Sequence, residues 1–186
     1  MIIGFYLPGL GYSGGINIVL RWSQTIASYN HVCYIIVPDN ITIPSIFPYI
    51  EEEIPKFVAV HEEDVRGINF DVIFATWWET VLAIAKLSAR KKVLFMQALE
   101  TQFSIFGCKE QEEVKLAMDS LDGIIPIASW MEEYCSLFRL SKSYHTLLNP
   151  FDVDKFSCAN PKIPKSTSVR FLVEGPITDP RKNIQK

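Results

Sequence analysis

The sequence predicts an α/β protein built on a doubly wound parallel sheet of the Rossmann-like type. Three observations carry this. Short, nearly continuous apolar runs recur along the chain, as strands buried on both faces require. They alternate with stretches of helical periodicity, the pattern of parallel βαβ units. A glycine-rich stretch, PGLGYSGG (8–15), lies between the first strand-like run and the first helix-like one.

In chain order, IIGFYL (2–7) reads as a buried strand. INIVLRWSQTIAS (16–28) reads as a helix with Ile16, Val19, Leu20, Ile26 and Ala27 near one face. VCYIIV (32–37), KFVAV (56–60) and FDVIFA (70–75) supply the second, third and fourth strands. Thr76-Trp77-Trp78-Glu79 has the form of a capping box and opens a helix to about Ala89. KVLFMQ (92–97) is a fifth strand. Residues 109–120 form a helix with Val114, Leu116, Ala117 and the following Leu121 apolar. GIIPIA (123–128) is a sixth strand that carries Pro126, a residue confined to strand edges and ends. Ser129-Trp130-Met131-Glu132 is a second capping box, starting a helix to about Leu140. HTLL (145–148) closes the series as a further strand.

Residues 1–150 thus form one domain. Residues 151–168, rich in Pro, Ser, Asn and Lys, suit a linker. Residues 169–186 open with a fresh strand and turn, VRFLVEGP, which cannot bury its faces alone. The expectation is a second α/β domain of which the chain holds the first piece.

Composition narrows the function classes. The chain has 186 residues, 48% of them hydrophobic and 21% charged, which is globular rather than disordered. A net charge of -3 argues against a dedicated nucleic-acid binder. Residues 155–186 hold seven basic and two acidic side chains, a local +5, so the remainder carries -8. Such a basic end suits an anionic ligand or a solvated tail. The four cysteines (Cys33, Cys108, Cys135, Cys158) are far apart, with no CxxC and no Cys/His spacing suited to a metal. They read as reduced, small apolar residues, and the compartment as reducing. No basic residue precedes Arg21, so the chain lacks the basic start of a signal peptide. No apolar run approaches the ~18 residues of a membrane span.

Ligands of doubly wound sheets bind beyond the carboxyl ends of the strands. The positions to weigh are therefore 8–15, Pro38-Asp39, 76–79, 97–103 and Ser129-Trp130. The glycine loop admits three readings. Gly9-x-Gly11-x-x-Gly14 matches the dinucleotide fingerprint, with Asp39 as the acidic residue after the second strand. It could equally be a ligand-free turn. In the third reading Gly14 and Gly15 stand at the mouth of the first helix, where backbone amides face an anion and no side chain blocks it.

In that third form the residues resemble the family-4 glycosyltransferases of the GT-B fold. PGLGYSGGINIVL resembles the strand, proline, glycine pair and helix that open their first domain. YNHVCYIIVP looks like the turn and second strand that follow. DVIFATWWET (71–80) and KVLFMQALETQF (92–103) are similar to segments of the subset that builds bacterial surface polysaccharides. SWMEEY (129–134) and NPFDVDKF (149–156) resemble the last helix of the first domain and the link to the second. FLVEGPITDPRKN (171–183) looks like the second domain's first strand and loop. The chain departs from the pattern at Gln97, where many relatives have histidine, and at Pro176, where a basic residue often stands. The paired-glutamate stretch that holds the donor lies beyond the resemblance.

The resemblance implies an acceptor-side domain, the N-terminal half of a GT-B enzyme. That enzyme would transfer a hexose or deoxyhexose from a nucleotide-sugar to a glycan or lipid-linked acceptor with retained configuration. The nucleotide-sugar is a substrate, so no cofactor and no metal are implied. The implied location is the cytoplasm, with peripheral contact at the inner membrane face. On this view Gly14, Gly15, Ile16, Arg181 and Lys182 meet the donor diphosphate. Glu100 is the catalytic candidate, able to orient an acceptor hydroxyl or act as a base. Trp77, Trp78 and Gln97 serve the acceptor, with one tryptophan packing in the core and the other stacking on a ligand. The 186 residues alone are expected to be inactive. The alternative function is a non-catalytic or NAD-type nucleotide-binding module.

The remaining candidates read as structural. Glu79 serves as a cap, and His31 and His61 flank strands. His145 opens a strand with no evident partner. Trp130 and Tyr134 pack their helix, and Asp152 and Asp154 cap the interdomain turn.

Overall fold

A computed structural model describes residues 1–47, 50, 56–99, 108–137 and 145–149. The elements run β1 (Ile2–Tyr6), α1 (Gly14–Ser28), β2 (Val32–Val37), β3 (Val58–His61), a single 3-10 turn (Glu63–Val65), β4 (Phe70–Ala75), α2 (Trp78–Ala85), β5 (Ala89–Met96), α3 (Cys108–Asp119), β6 (Gly123–Pro126) and α4 (Ser129–Leu137). The six strands form one sheet in the order β3-β2-β1-β4-β5-β6. Every pairing is parallel. The predicted fold class is the one observed.

Strand alternation sorts the core onto two faces. Ile3 and Phe5 of the first strand and Leu7 just beyond its end, with Cys33, Ile35 and Val37 of the second, pack under α1 through Val19 and Leu20. Ile36, Ile73, Ala75, Leu94, Met96 and Ile124 point the other way. They meet Val81 and Ile84 of α2, Met118 of α3, and Met131 and Cys135 of α4. Burial on both faces explains why the central strands read as unbroken apolar runs. After α1 the chain turns through Asn30, at φ 63°, the one non-glycine residue with positive φ among those described. Its amide closes the helix on the Ala27 carbonyl at 3.1 Å. Asparagine tolerates that left-handed geometry better than most side chains.

Several boundaries differ from expectation, each for a local reason. The first helix starts at Gly14 rather than Ile16, because Ser13 is its N-cap: Ser13 Oγ accepts from the Ile16 amide at 3.2 Å. The fifth strand starts at Ala89, inside the range expected for the preceding helix, since Ala89 pairs with Phe70 and Lys91 with Val72. Pairing with a neighbour outweighs the charged ARKK sequence there. The sixth strand ends at Pro126 rather than residue 128, and it lies at the sheet's edge, where proline is tolerated.

Residues 145–149 form no strand, which corrects the expectation for HTLL. Leu147 N–H bonds to the Pro126 carbonyl at 2.9 Å, and Leu147 packs against the core on the α1 side. His145 is exposed there. Residues 151–186, expected to hold a linker and the start of a second domain, with Asp152 and Asp154, lie outside the described residues.

Cys33 and Cys135 are free thiols in the core. Burial pushes each thiol up to about 11 from 9.0; Glu132 adds to the shift at Cys135. Below pH 9 folded and unfolded chains both keep these protons. Between pH 9 and 11 the unfolded chain loses them first, so stability must fall through that window. Urea midpoints at pH 8 and pH 10.5 should show the fall, and a Cys33→Ala/Cys135→Ala double variant should show a smaller one. An identical drop in both proteins would rule the thiols out as its source.

Candidate functional site at the carboxyl edge

The strand order turns outward in opposite directions from β1: β2 and β3 on one side, β4, β5 and β6 on the other. The carboxyl ends of β1 and β4 are therefore the topological switch point, where ligands of such sheets bind. The glycine loop leaves β1 at this point, and the Trp77-Trp78 pair leaves β4 beside it. Gln97 and Trp130 follow the next two strands along the same edge.

The loop delivers the mouth of α1 to the edge. Ser13 takes two first-turn amides, Ile16 through its hydroxyl at 3.2 Å and Asn17 through its carbonyl at 3.0 Å. This revises the role expected for Ile16, whose amide is engaged by the cap. Gly14 and Gly15, at the first two helical positions, supply the first-turn amides outside these two bonds. No acidic side chain stands in this first turn, so the positive end of the helix dipole keeps its pull on an anion. Gly15 has a helical backbone rather than a positive φ. Its lack of a side chain matters for space instead. A Cβ there would lie 3.1 Å from Gln97 Oε1 and 3.4 Å from Gln97 Nε2. A Cβ at Gly9, Gly11 or Gly14 would meet nothing within 4 Å.

The structure thus brings together two residues that the sequence placed in different roles, Gly15 on the donor side and Gln97 on the acceptor side. The Gln97 carboxamide sits against the helix mouth and offers both a donor and an acceptor there. Trp78 packs against the core of the α2 face, while Trp77 is half-buried at the end of β4. Glu100, Arg181 and Lys182 lie outside the described residues.

Thr76 and Glu79 do not form the predicted box. Thr76 is buried, and its hydroxyl donates to the Tyr6 carbonyl at 2.8 Å. The helix start is held instead by Thr80, whose hydroxyl accepts from the amides of Thr76 and Trp77 and donates to the Trp77 carbonyl at 2.6 Å. In the second expected box, Glu132 accepts from the Thr146 hydroxyl at 2.8 Å, and Ser129 is already inside the helix. Tyr134 is buried as expected, but Trp130 is 57% exposed, which corrects its assignment to helix packing.

Around the ends of β2 and β3 the polar groups are tied to one another. The Tyr6 hydroxyl donates to Glu62 at 2.6 Å, and burial, then Glu62, holds that phenol well above its ordinary pKa. Asp39, the acidic residue that a dinucleotide site needs, accepts the Glu63 amide at 3.1 Å and so anchors the 3-10 turn. His61 Nε2 lies 2.9 Å from the Ile41 carbonyl, a structural contact as expected. Among the described residues, no group of three or more His, Cys, Asp or Glu is placed to hold a metal ion. No helix among them is long and apolar enough to cross a membrane.

The cap Ser13 was missed, although serine directly before a helix is a preferred N-cap and would have signalled it. The Gln97–Gly15 approach was not legible, because it joins the end of β5 to α1, elements far apart in the sequence. No family model matches the chain, and no curated protein matches it.

Proposed function

We infer that the chain is the acceptor-side part of a nucleotide-sugar-dependent glycosyltransferase that moves a hexosyl group to a glycan or lipid-linked acceptor. One observation carries the reading. The mouth of α1 opens at the switch point with the Gly14 and Gly15 amides outside the Ser13 cap and with Gln97 lodged against Gly15. Backbone donors aimed at one spot, with no acid in the first turn, favour a diphosphate. Departure of a nucleoside diphosphate is the step such donors would assist, by stabilising the charge that develops on the leaving group. Arg181 and Lys182, in the basic carboxyl-terminal stretch, are the proposed cationic partners, and Glu100 the proposed base.

The alternative is an NAD-type binding module, favoured by the strand order, which is also that of dinucleotide-binding folds. It would require Asp39 to leave the Glu63 amide in order to meet a ribose hydroxyl. Amide chemical shifts of Gly14 and Gly15 during titration with UDP, dTDP and NADH separate the two. The transferase reading expects a weak response to UDP or dTDP centred on these amides. A response to NADH alone, reaching Asp39, would establish the other reading.

A further inference from the structure

The sheet ends in two outer strands, β6 and β3, and the two edges are built differently. β6 carries Pro126, which has no N–H to offer, and the Pro126 carbonyl is taken by the Leu147 amide at 2.9 Å. Proline and a covering segment both blunt an edge. β3 holds no proline, no acidic residue and no lysine or arginine. Among the described residues, no strand lies along its outer side.

Backbone phase tells which groups of β3 face outward. Successive residues of a strand turn their N–H and C=O to opposite sides. The Glu62 amide bonds to the Val37 carbonyl of β2 at 2.9 Å, so Val58 and Val60 face β2 as well, and Ala59 and His61 face outward. The His61 amide agrees: it donates to Asp64 Oδ2 at 3.3 Å rather than to β2. Ala59, inside the strand, directs both its N–H and its C=O away from the sheet.

These outward groups define one self-pairing. A second copy laid antiparallel, with Ala59 opposite Ala59, exchanges two hydrogen bonds at that position. The His61 amide can then trade its long bond to Asp64 for the Phe57 carbonyl of the second copy. Val58 meets Val60 of the second copy. Both valines lie on one face of the sheet, level with Tyr34 and Ile36, and Val58 is 48% exposed. Lys56, exposed just before the strand, comes opposite Glu62, which follows it and binds the Tyr6 hydroxyl through Oε2. A base before the strand and an acid after it attract when two copies run antiparallel; in a parallel pairing like would meet like. Two-fold symmetry makes each of these contacts occur twice.

We propose that β3 is a homodimer edge, through which two copies of this chain join their sheets antiparallel across Ala59. The proposal is independent of the transferase reading. The glycine loop leaves β1, two strands in from this edge, so both candidate sites stay open.

The test follows the 186-residue chain by sedimentation equilibrium. A short edge pairing is a small interface, at the weak and transient end of protein contacts. Dimer should therefore form reversibly over roughly 10 µM to 1 mM. Hydrogen exchange of a peptide spanning 57–61 locates the contact. The Ala59 amide should exchange at least about twofold more slowly at the top of that range than at the bottom. Val58→Lys sets a charge against Val60 of the second copy, and Ala59→Pro removes the outward N–H while leaving the ladder to β2 intact. Each should weaken association at least about tenfold, with circular dichroism unchanged. Lys56→Glu should weaken it by about two- to tenfold, and less so at high salt. Should Ala59→Pro fail to fold, Val58→Lys decides alone. A chain that stays monomeric throughout the range would overturn the proposal. So would a dimer that Val58→Lys leaves as tight as wild type, or one whose Ala59 amide exchanges as fast as in the monomer.

Discussion

On the transferase reading, Gly15→Val in the complete enzyme is expected to lower sugar transfer by about 10²–10³-fold, the usual cost of losing backbone donors aimed at a developing charge, with the fold intact. The added Cβ would arrive 3.1 Å from Gln97 Oε1 and 3.4 Å from its Nε2. Those atoms end a flexible side chain, so Gln97 swings away and no core atom has to move. The site loses twice: valine methyls cover the mouth of α1, and the carboxamide leaves it. Gly11→Ala should transfer sugar nearly as wild type does, because a Cβ there meets nothing within 4 Å. A dinucleotide fingerprint predicts the opposite emphasis, with Gly9, Gly11 and Gly14 each important and Gly15 not. Transfer rates of these single variants, with circular dichroism as the folding control, decide the matter. A dead Gly11→Ala beside a normal Gly15→Val would sink the glycosyltransferase reading of the loop.

The architecture was legible because its signals are local. Apolar runs such as VCYIIV and FDVIFA are strands buried on both faces, and their alternation with helical stretches fixes parallel connections. Where the expectation slipped, a nonlocal contact had decided the outcome. ARKK is charged and extends β5 only because Phe70 and Val72 lie alongside it. HTLL is apolar enough for a strand, and Leu147 does pack against the core on the α1 side, yet the one backbone bond described between this segment and the sheet is Leu147 N–H to the Pro126 carbonyl, too little to make a ladder.

The site was legible at the level of strand ends and no further. Positions 15, 77, 97 and 130 all belong to the carboxyl edge, as any reading of a doubly wound sheet would place them. Which of them touch depends on how far a side chain reaches across a neighbouring strand, and spacing along the chain does not encode that. Gln97 points to the α1 side of the sheet because Phe95, two residues earlier, packs on that side. Trp78 faces α2 and enters its core. The choice between Trp77 and Trp78 as core residue was therefore settled by helix phase, which could not be read before the start of α2 was known to be Trp78.

The largest loss of stability is expected at a residue with no place in the chemistry, Gly4. It sits in the middle of β1, the strand paired on both sides, opposite Tyr34 of β2 and Ile73 of β4. A Cβ at this position would lie 3.0 Å from Phe70 Cε1, 3.1 Å from Ile36 Cδ1 and 3.2 Å from Ile73 Cγ1. Glycine normally weakens a strand, since it adds backbone entropy and packs nothing. Here it makes room for three buried side chains that converge from β2 and β4. Phe70 and Ile73 have little freedom to retreat, because both belong to the close-packed cluster against α2 and α3. Gly4→Ala should therefore cost about 1–3 kcal/mol as overpacking, and Gly4→Val, with two further methyls, more than that. If instead Gly4 were merely a weak strand residue, alanine would raise stability by reducing the freedom of the unfolded chain. Urea unfolding of Gly4→Ala discriminates by sign: the midpoint should fall, and a rise would show that the three neighbours can yield. A compensating Phe70→Leu in the Gly4→Ala background removes the nearest ring atom. That double variant should recover part of the lost midpoint, as expected only of residues in direct contact.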